Sequence, residues 1–187
     1  MSRRGAVLGL VLAGFVALFA LLVWALTQSG GQPAGAGVND VFGEVEVNER
    51  EAPDFTLDLL DGGTLTLSDL RGSVVVVDFW ASWCSPCRLE APRLKQVYEE
   101  YRDEGVEFVG VGIWERPAEA EVFIDEFGVP YPTGLDIPGD ILLEYGVKGI
   151  PEKYFIDRNG RVAAKFVGPS SVEDLRETLD RVLAIEG

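Results

Sequence analysis

The chain has 187 residues, 47% of them hydrophobic, which is enough for one packed domain and an appended segment. Its 31 acidic and 16 basic residues give a net charge of −15, and this field repels phosphate backbones, so nucleic-acid binding is not expected. The absence of histidine removes Ser–His and Cys–His catalysis and most zinc or haem ligation, which leaves carboxylates, thiols and water for proton transfer.

The N-terminal segment, residues 1–26, is predicted to be a transmembrane anchor. Gly5 to Leu26 carries no charge, and at about 1.5 Å per residue a helix of this length crosses a hydrocarbon core of about 30 Å. Arg3 and Arg4 precede it, so the positive-inside rule predicts a single-pass protein of the cytoplasmic membrane with an extracytoplasmic or periplasmic domain. A cleaved signal peptide is the alternative, although its apolar region is usually only about 7 to 15 residues long.

Residues 27–51 are predicted to form a flexible tether. They are rich in Gly, Ala, Gln and Ser and then become acidic, with little apolar surface to bury, and one strand is expected near Val41 to Val47. The globular domain is therefore expected to cover residues 52–187.

The domain is predicted to begin with a β-hairpin, because segments 54–59 and 64–67 alternate with period two about an Asp-Gly turn. Val74 to Phe79 and Val106 to Ile113 are continuous apolar runs, typical of strands buried on both faces. A second hairpin is expected from Lys153 to Ile156 and Arg161 to Val167.

Four helices are predicted between and after these strands. Pro86 to Glu104 has apolar residues at helical spacing and a kink expected at Pro92, and shorter helices are expected at Pro117 to Phe127 and Asp140 to Tyr145. Ser170 and Glu173 fit a capping box at the start of the last helix. The order of elements predicts an α/β fold with a mixed central sheet and flanking helices.

The sequence Trp83-Cys84-Ser85-Pro86-Cys87 contains both cysteines of the chain, after a buried strand and at the start of a helix. A disulfide between them closes a very short loop, which adds little stability and suits reversible redox chemistry. The helix N-terminus stabilises a thiolate at Cys84, which is therefore the expected nucleophile. Cys87, in the first turn and expected to be more buried, is the expected resolving thiol.

Other uses of the cysteine pair fit less well. A zinc site needs about four ligands, and covalent haem attachment needs histidine at position 88, which is arginine. A purely structural disulfide is the remaining alternative. The dithiol itself is thus the expected redox centre, with no metal and no other cofactor.

Segment 77–87 resembles the active-site segment of thioredoxins, and segment 149–151, Gly-Ile-Pro, resembles their cis-proline loop. The hairpin starting at segment 52–55, the insertion around 114–136 and segment 88–92 make the chain similar to the membrane-anchored TlpA/ResA/CcmG (DsbE) family of the AhpC/TSA-redoxin type. The resemblance implies a thioredoxin-like fold with an N-terminal hairpin extension and a central insertion. It also implies thiol-disulfide reduction, mostly in cytochrome c maturation.

The resemblance implies roles for two carboxylates. Asp78, six residues before Cys84, matches the carboxylate that relays a proton to the resolving cysteine, and burial is expected to raise its pKa. Relatives often carry an uncharged residue at this position, and a solvated charge is the alternative. Glu90, three residues after Cys87, matches an acidic residue near the site of ResA-type proteins, with an exposed helix carboxylate as the alternative.

Substrate contacts are expected from residues around the disulfide: Trp83, Ser85, Pro86, Ile150, Pro151 and Glu152. Trp83 is expected to shield the nucleophile and contact substrate, whereas Trp80 is expected in the core. Pro151 lacks an amide donor, so the Ile150 backbone is expected to pair with an extended substrate. Glu152 either attracts a basic substrate or is simply solvated.

These observations predict a reductase of protein disulfides. The resemblance implies apocytochrome c with an oxidised CxxCH as substrate and a DsbD/CcdA-type transmembrane electron donor. Alternatives are a general TlpA-type reductase or isomerase, an oxidant, a peroxidase, and a non-catalytic anchored chaperone or assembly module. The neutral Ser85-Pro86 pair disfavours a strong oxidant, and Ala81 stands where a peroxidase carries threonine or serine.

Overall fold

The computed structural model describes residues 12–21, 23–24, 43–48 and 50–185. Residues 12–21 and 23–24 are helical, and a search of the described residues finds no helix with the length and hydrophobicity needed to cross a membrane. Most of the predicted anchor and tether lies outside the described residues, so both stay predictions.

Eight strands and four α-helices are found among the described residues from Gly43 onward. The strands are β1 (Gly43–Val45), β2 (Thr56–Asp58), β3 (Thr64–Thr66), β4 (Val74–Trp80), β5 (Val106–Ile113), β6 (Thr133–Asp136), β7 (Glu152–Ile156) and β8 (Val162–Val167). The helices are α1 (Ser85–Tyr101), α2 (Pro117–Phe127), α3 (Asp140–Tyr145) and α4 (Val172–Leu183), with 3-10 turns at Leu67–Leu70 and Arg102–Glu104.

Six strands form one mixed sheet in the order β1-β8-β7-β4-β5-β6. Strand β4 lies inside this sheet, parallel to β5 and antiparallel to β7, and all of its residues are buried. The prediction of a central strand in a mixed sheet is therefore confirmed. The strand carries the chain directly to the cysteine pair.

The two faces of β4 contact different layers. Val74 and Val76 belong to a cluster with Leu94 of α1 and Leu175 of α4. Val75, Val77 and Phe79 belong to a second cluster that includes Tyr145 of α3 and Phe55 of the N-terminal hairpin. Apolar side chains on both faces explain why the β4 sequence shows no polar alternation.

Segments from the N-terminal part of the chain lie at both sides of the sheet, with β1 as one edge strand and a hairpin against the other. Strand β1 pairs antiparallel with β8, and the hairpin of β2 and β3 lies against β6, where the Leu60 amide donates to the Thr133 carbonyl at 3.0 Å. A Cβ atom at Gly134 would lie 2.2 Å from the Asp58 carbonyl oxygen, so only glycine permits this approach.

One strand of the sheet was not predicted, and another confirms a prediction. Strand β6 was not predicted, because its four residues, Thr-Gly-Leu-Asp, lack both a continuous apolar run and β-branched enrichment. The expected strand near Val41 to Val47 is found as β1, so residues 43–45 of the predicted tether pair with the sheet.

Helix α1 begins one residue before the predicted start and continues through Pro92, and its last predicted turn is a 3-10 turn. At α4 the capping box is formed by Ser171 and Asp174: the Ser171 hydroxyl accepts from the Asp174 amide at 3.1 Å, and the Asp174 carboxylate accepts from the Ser171 amide at 2.9 Å. The predicted pair Ser170 and Glu173 was wrong by one residue, because Ser170 is drawn into the interior.

Candidate active site

The cysteine pair lies at the junction of β4 and α1. Cys84 is the N-cap of α1, and its Sγ accepts a hydrogen bond from the Cys87 amide at 3.2 Å. Pro86 lies at the start of the helix, where its missing N–H costs no helical hydrogen bond. The two cysteines form a disulfide. The helix N-terminus therefore stabilises negative charge at the Cys84 sulfur, as predicted.

Both cysteines are buried in this oxidised state. Cys84 is 0% and Cys87 3% exposed, so the expectation that Cys87 is the more buried of the two was wrong. The N-cap geometry turns the Cys84 sulfur back toward the helix amides and away from solvent. Between them, Ser85 is exposed and Pro86 is half-buried, and these two present the surface of the disulfide loop.

The loop before Cys84 is held by residues of the insertion and of α1. The Ser82 amide donates to Glu115 at 2.5 Å, and Arg88 donates to the Ser82 carbonyl at 3.3 Å. Nη2 of the same Arg88 donates to both carboxylate oxygens of Glu126 of α2, each at 2.6 Å. This support was missed, because the contacts of Glu115 and Glu126 span 33 and 38 positions and leave no local pattern in the sequence.

Two exposed tryptophans lie next to the disulfide loop. The rings of Trp83 and Trp114 stack with centroids 6.4 Å apart, and the Trp83 indole donates to the Trp114 carbonyl at 3.2 Å. Trp114 has φ of 51°, a left-handed conformation that is unfavourable for a large side chain. An open cavity of about 90 Å³, lined by Trp114 and the exposed Ile137 among others, adjoins this pair.

Trp83 thus lies where the sequence predicted, while Trp114 was not assigned a role. The sequence does contain a signal for Trp114, because it directly follows the end of β5 and loops after strands often carry functional residues. Trp80, in contrast, is buried and stacks on Phe123, so its assignment to the core is confirmed.

The segment with the expected cis-proline lies at the start of β7. The Ile150–Pro151 peptide bond is cis, and both residues are buried. Glu152 is 2% exposed; it pairs with Lys165 at 2.6 Å and accepts from the Lys148 amide at 3.3 Å. This burial contradicts the alternative that Glu152 is simply solvated, while its attraction of a basic substrate stays a prediction.

The predicted carboxylates Asp78 and Glu90 are both buried, 3% and 0% exposed. Together with Cys87 and Pro151 they line a cavity of about 10 Å³, roughly the space of one water molecule. Burial raises the pKa of Asp78 from 3.8 to about 7, opposed by the positive charge of Lys153 and reinforced by the negative charge of Glu90. Asp78 is therefore suited to exchange protons near neutral pH.

Glu90 is held by partners from outside its own helix. Its Oε1 accepts from Lys153 Nζ at 2.5 Å and from the Ser170 amide at 2.8 Å, whereas its Oε2 has no hydrogen-bond partner. The alternative of an exposed helix carboxylate was therefore wrong. Lys153 was not predicted to take part, although a lysine directly before the apolar residues Tyr154–Ile156 of β7 is a visible signal.

The arrangement combines a reversible dithiol with a buried acid of near-neutral pKa. A thiolate exchanges with an external disulfide, and the adjoining carboxylate takes or gives the proton of the second thiol.

Comparisons with known proteins agree with this chemistry. The AhpC/TSA family matches residues 49–165. Thiol-disulfide oxidoreductase ResA of Geobacillus thermodenitrificans is 36% identical over 131 residues, which cover 70% of this chain and 75% of the relative. ResA of Bacillus anthracis is 32% identical over 133 residues, covering 71% and 77%.

Solved structures show the same likeness. A thiol:disulfide interchange protein described as DsbE from Chlorobium tepidum aligns with a TM-score of 0.67 and 36% identity, covering 72% of this chain and 96% of the other. A secreted Mycobacterium tuberculosis disulfide oxidoreductase homologous to Escherichia coli DsbE aligns with a TM-score of 0.62 and 27% identity, covering 68% and 95%.

Proposed function

Since the chain belongs to the AhpC/TSA family, as a thioredoxin-like thiol-disulfide oxidoreductase of the ResA and DsbE-like group, we propose that it acts as a reductant of protein disulfides outside the cytoplasm. The observation that carries this proposal is the Cys84–Cys87 disulfide at the N-terminus of α1, with the neutral Ser85-Pro86 pair between the cysteines. The thiolate has the support of the helix N-terminus without the extra cationic stabilisation that makes a strong oxidant.

In the first step of the proposed reaction, the Cys84 thiolate attacks one sulfur of a partner disulfide. A bond forms between Cys84 and that sulfur, and the partner's other sulfur leaves with the electron pair and takes up a proton. In the second step, Cys87 loses its proton and attacks Cys84 Sγ. The partner leaves as a dithiol, and the domain keeps the Cys84–Cys87 disulfide.

Asp78 is the proposed acceptor of the Cys87 proton. It lines the same small cavity as Cys87, and a pKa of about 7 lets it take a proton from a thiol and return it near neutrality. No histidine exists in the chain to do this work. Glu90 shares the cavity and is proposed to act with Asp78.

The proposed substrate is apocytochrome c with an oxidised CxxCH, and the proposed electron donor is a DsbD/CcdA-type membrane carrier. This follows from the similarity to ResA and DsbE-like proteins together with the predicted anchor over residues 1–26. A net charge of −15 favours neutral or basic partners. A general reductase is the second candidate, favoured by Asp78, since the ResA/CcmG group often carries an uncharged residue there.

The full chain is expected to be reducing, with a Cys84–Cys87 potential nearer about −270 mV than about −120 mV. Equilibration against glutathione mixtures measures this value, and a potential above about −180 mV would contradict the reductase proposal.

We also expect kcat/KM for an oxidised apocytochrome c to exceed that for insulin by about 10-fold or more. Equal kcat/KM values for the two substrates would support a general reductase and contradict a dedicated role in cytochrome c maturation.

Trp114→Ala is expected to raise KM for a protein disulfide by about 10-fold, because aromatic anchors at the centre of an interface contribute about 1 to 2 kcal/mol each. The change removes the surface on which Trp83 stacks and leaves the cysteines untouched. Steady-state reduction of insulin measures the effect. Val122→Ala, at an exposed residue of α2, is the control. An unchanged KM would exclude Trp114 from substrate binding.

A further inference from the structure

The buried lysine of β7 is not used by the mechanism above. The side chain of Lys153 is 0% exposed, whereas the other described lysines, Lys95, Lys148 and Lys165, are at least partly exposed. Removing an ammonium group from water is costly unless the charge is paired and its donors are bound. Lys153 meets this condition through Glu90 at 2.5 Å and the Gly168 carbonyl at 3.0 Å.

Lys153 also lies directly beside Asp78. The two residues are register partners in the antiparallel pairing of β4 and β7. One Asp78 oxygen and one Glu90 oxygen are buried without hydrogen-bond partners. The two carboxylates line the small cavity beside Cys87, and the Lys153 ammonium binds Glu90 from the strand position next to Asp78.

We propose that Lys153 is a positioning residue for the release step: its ammonium fixes Glu90 and supplies the positive charge that lets Asp78 accept the Cys87 proton near neutral pH. The inference rests on the proposed reductase function. The thiol proton moves from Cys87 Sγ to the Asp78 carboxylate, and the resulting thiolate attacks Cys84 Sγ. The partner sulfur then leaves with the electron pair of the broken bond.

Burial has the largest effect on the pKa of Asp78, and among the neighbouring charges Lys153 has the largest. Glu90 and Cys87 of α1 face the Asp78 carboxylate, and Tyr131 faces it from the segment before β6. Burial raises the pKa of Tyr131 well above 10, so this residue stays neutral across the working range. The partner of Asp78 on β5 is Gly110, which has no ionisable group.

The effects of Lys153 and Glu90 on Asp78 have opposite signs. The ammonium lowers the pKa of Asp78, and the Glu90 carboxylate raises it. Removing the lysine charge should therefore delay ionisation of Asp78 to higher pH, and removing the glutamate charge should advance it to lower pH. A lysine that only stabilises the fold would not produce this reversal, because either substitution breaks the same ion pair.

The test uses full-length Lys153→Met, Glu90→Gln and the double variant. Each reduced protein is mixed with dithiobis(nitrobenzoate), which releases one coloured thiolate on attack by Cys84 and a second when Cys87 closes the disulfide. The pH midpoint of the second phase reports the acceptor. Lys165→Met, which breaks the Lys165–Glu152 pair, is the matched control.

We expect the midpoint to rise by about 1 pH unit or more in Lys153→Met, and the second phase at neutral pH to slow about 5-fold. The pH midpoint should fall in Glu90→Gln and stay unchanged in Lys165→Met. In the double variant it should lie between the values of wild type and Lys153→Met. Shifts of the same sign in both single variants, or none, would overturn the inference while the reductase function stands. Absence of two phases in the wild type would instead contradict the proposed function.

Discussion

Cys87→Ser is expected to convert the protein into a trap for its substrates. Cys84 still attacks a partner disulfide, but no second thiol follows to expel the partner, so the mixed disulfide should accumulate. Turnover should fall on the order of 10³-fold or more, because the covalent intermediate is no longer resolved. Non-reducing electrophoresis of membranes containing the variant detects the adduct, and dithiothreitol should reverse it.

Cys84→Ser is the matched control for this trap. It should be equally inactive but form far less adduct, because Cys87 lies beside Asp78 and Glu90, whose negative charges oppose a thiolate. Comparable trapping by both variants would contradict the assignment of Cys84 as nucleophile. The identity of the adducts also bears on the substrate, since recovery of many unrelated extracytoplasmic proteins and no CxxCH protein would favour the general reductase.

Asp78→Asn is expected to slow release of the mixed disulfide by roughly 10²-fold near neutral pH, the usual contribution of a positioned proton acceptor. The first attack should be almost unchanged, because Cys84 draws its stabilisation from the helix N-terminus. Stopped-flow mixing with the chromogenic disulfide separates the two steps. Unchanged release across pH 6 to 8 would exclude Asp78 as the acceptor.

The same variant should also change the pH dependence of stability. The pKa of Asp78 is raised from 3.8 to about 7 in the folded protein, so the folded state holds a proton that the unfolded state loses. The protonated Asp78 carboxyl contributes fully to the free energy of unfolding below about pH 4, and this contribution is lost as the pH rises through about 7. Asp78→Asn should not show this loss, so at pH 8 its free energy of unfolding should exceed that of the wild type by as much as about 4 kcal/mol. Urea unfolding measures the difference.

Local sequence patterns were enough to predict most of the elements that carry the site. The apolar run at Val74 to Phe79 and the cysteines after it identify a central strand that leads into a helix. The bounds of α2 and α3 also agree with the prediction, since α2 begins with Pro117, α3 begins after Gly139, and both end at a glycine. These features depend on backbone preferences and periodicity, which a single sequence records directly.

The interior charges could not be predicted in the same way. Glu90 and Glu152 both occur where exposed carboxylates are common, and each is buried only because a lysine from a neighbouring strand reaches it. Lys153 is separated from Glu90 by 63 positions and Lys165 from Glu152 by the β7–β8 turn. Such pairs are decided by tertiary packing, which periodicity and composition do not record.

The N-terminal segments at the two sides of the sheet have a consequence for how the enzyme avoids strand pairing with its clients. An enzyme that acts on protein disulfides meets extended chains whose free amides and carbonyls can add to any open strand. At one edge the three-residue β1 closes β8, and Glu44 on β1 pairs with Arg181 at 2.6 Å; at the other the β2–β3 hairpin closes β6. Chains that start after residue 51 would expose β8 and should aggregate more readily with their clients.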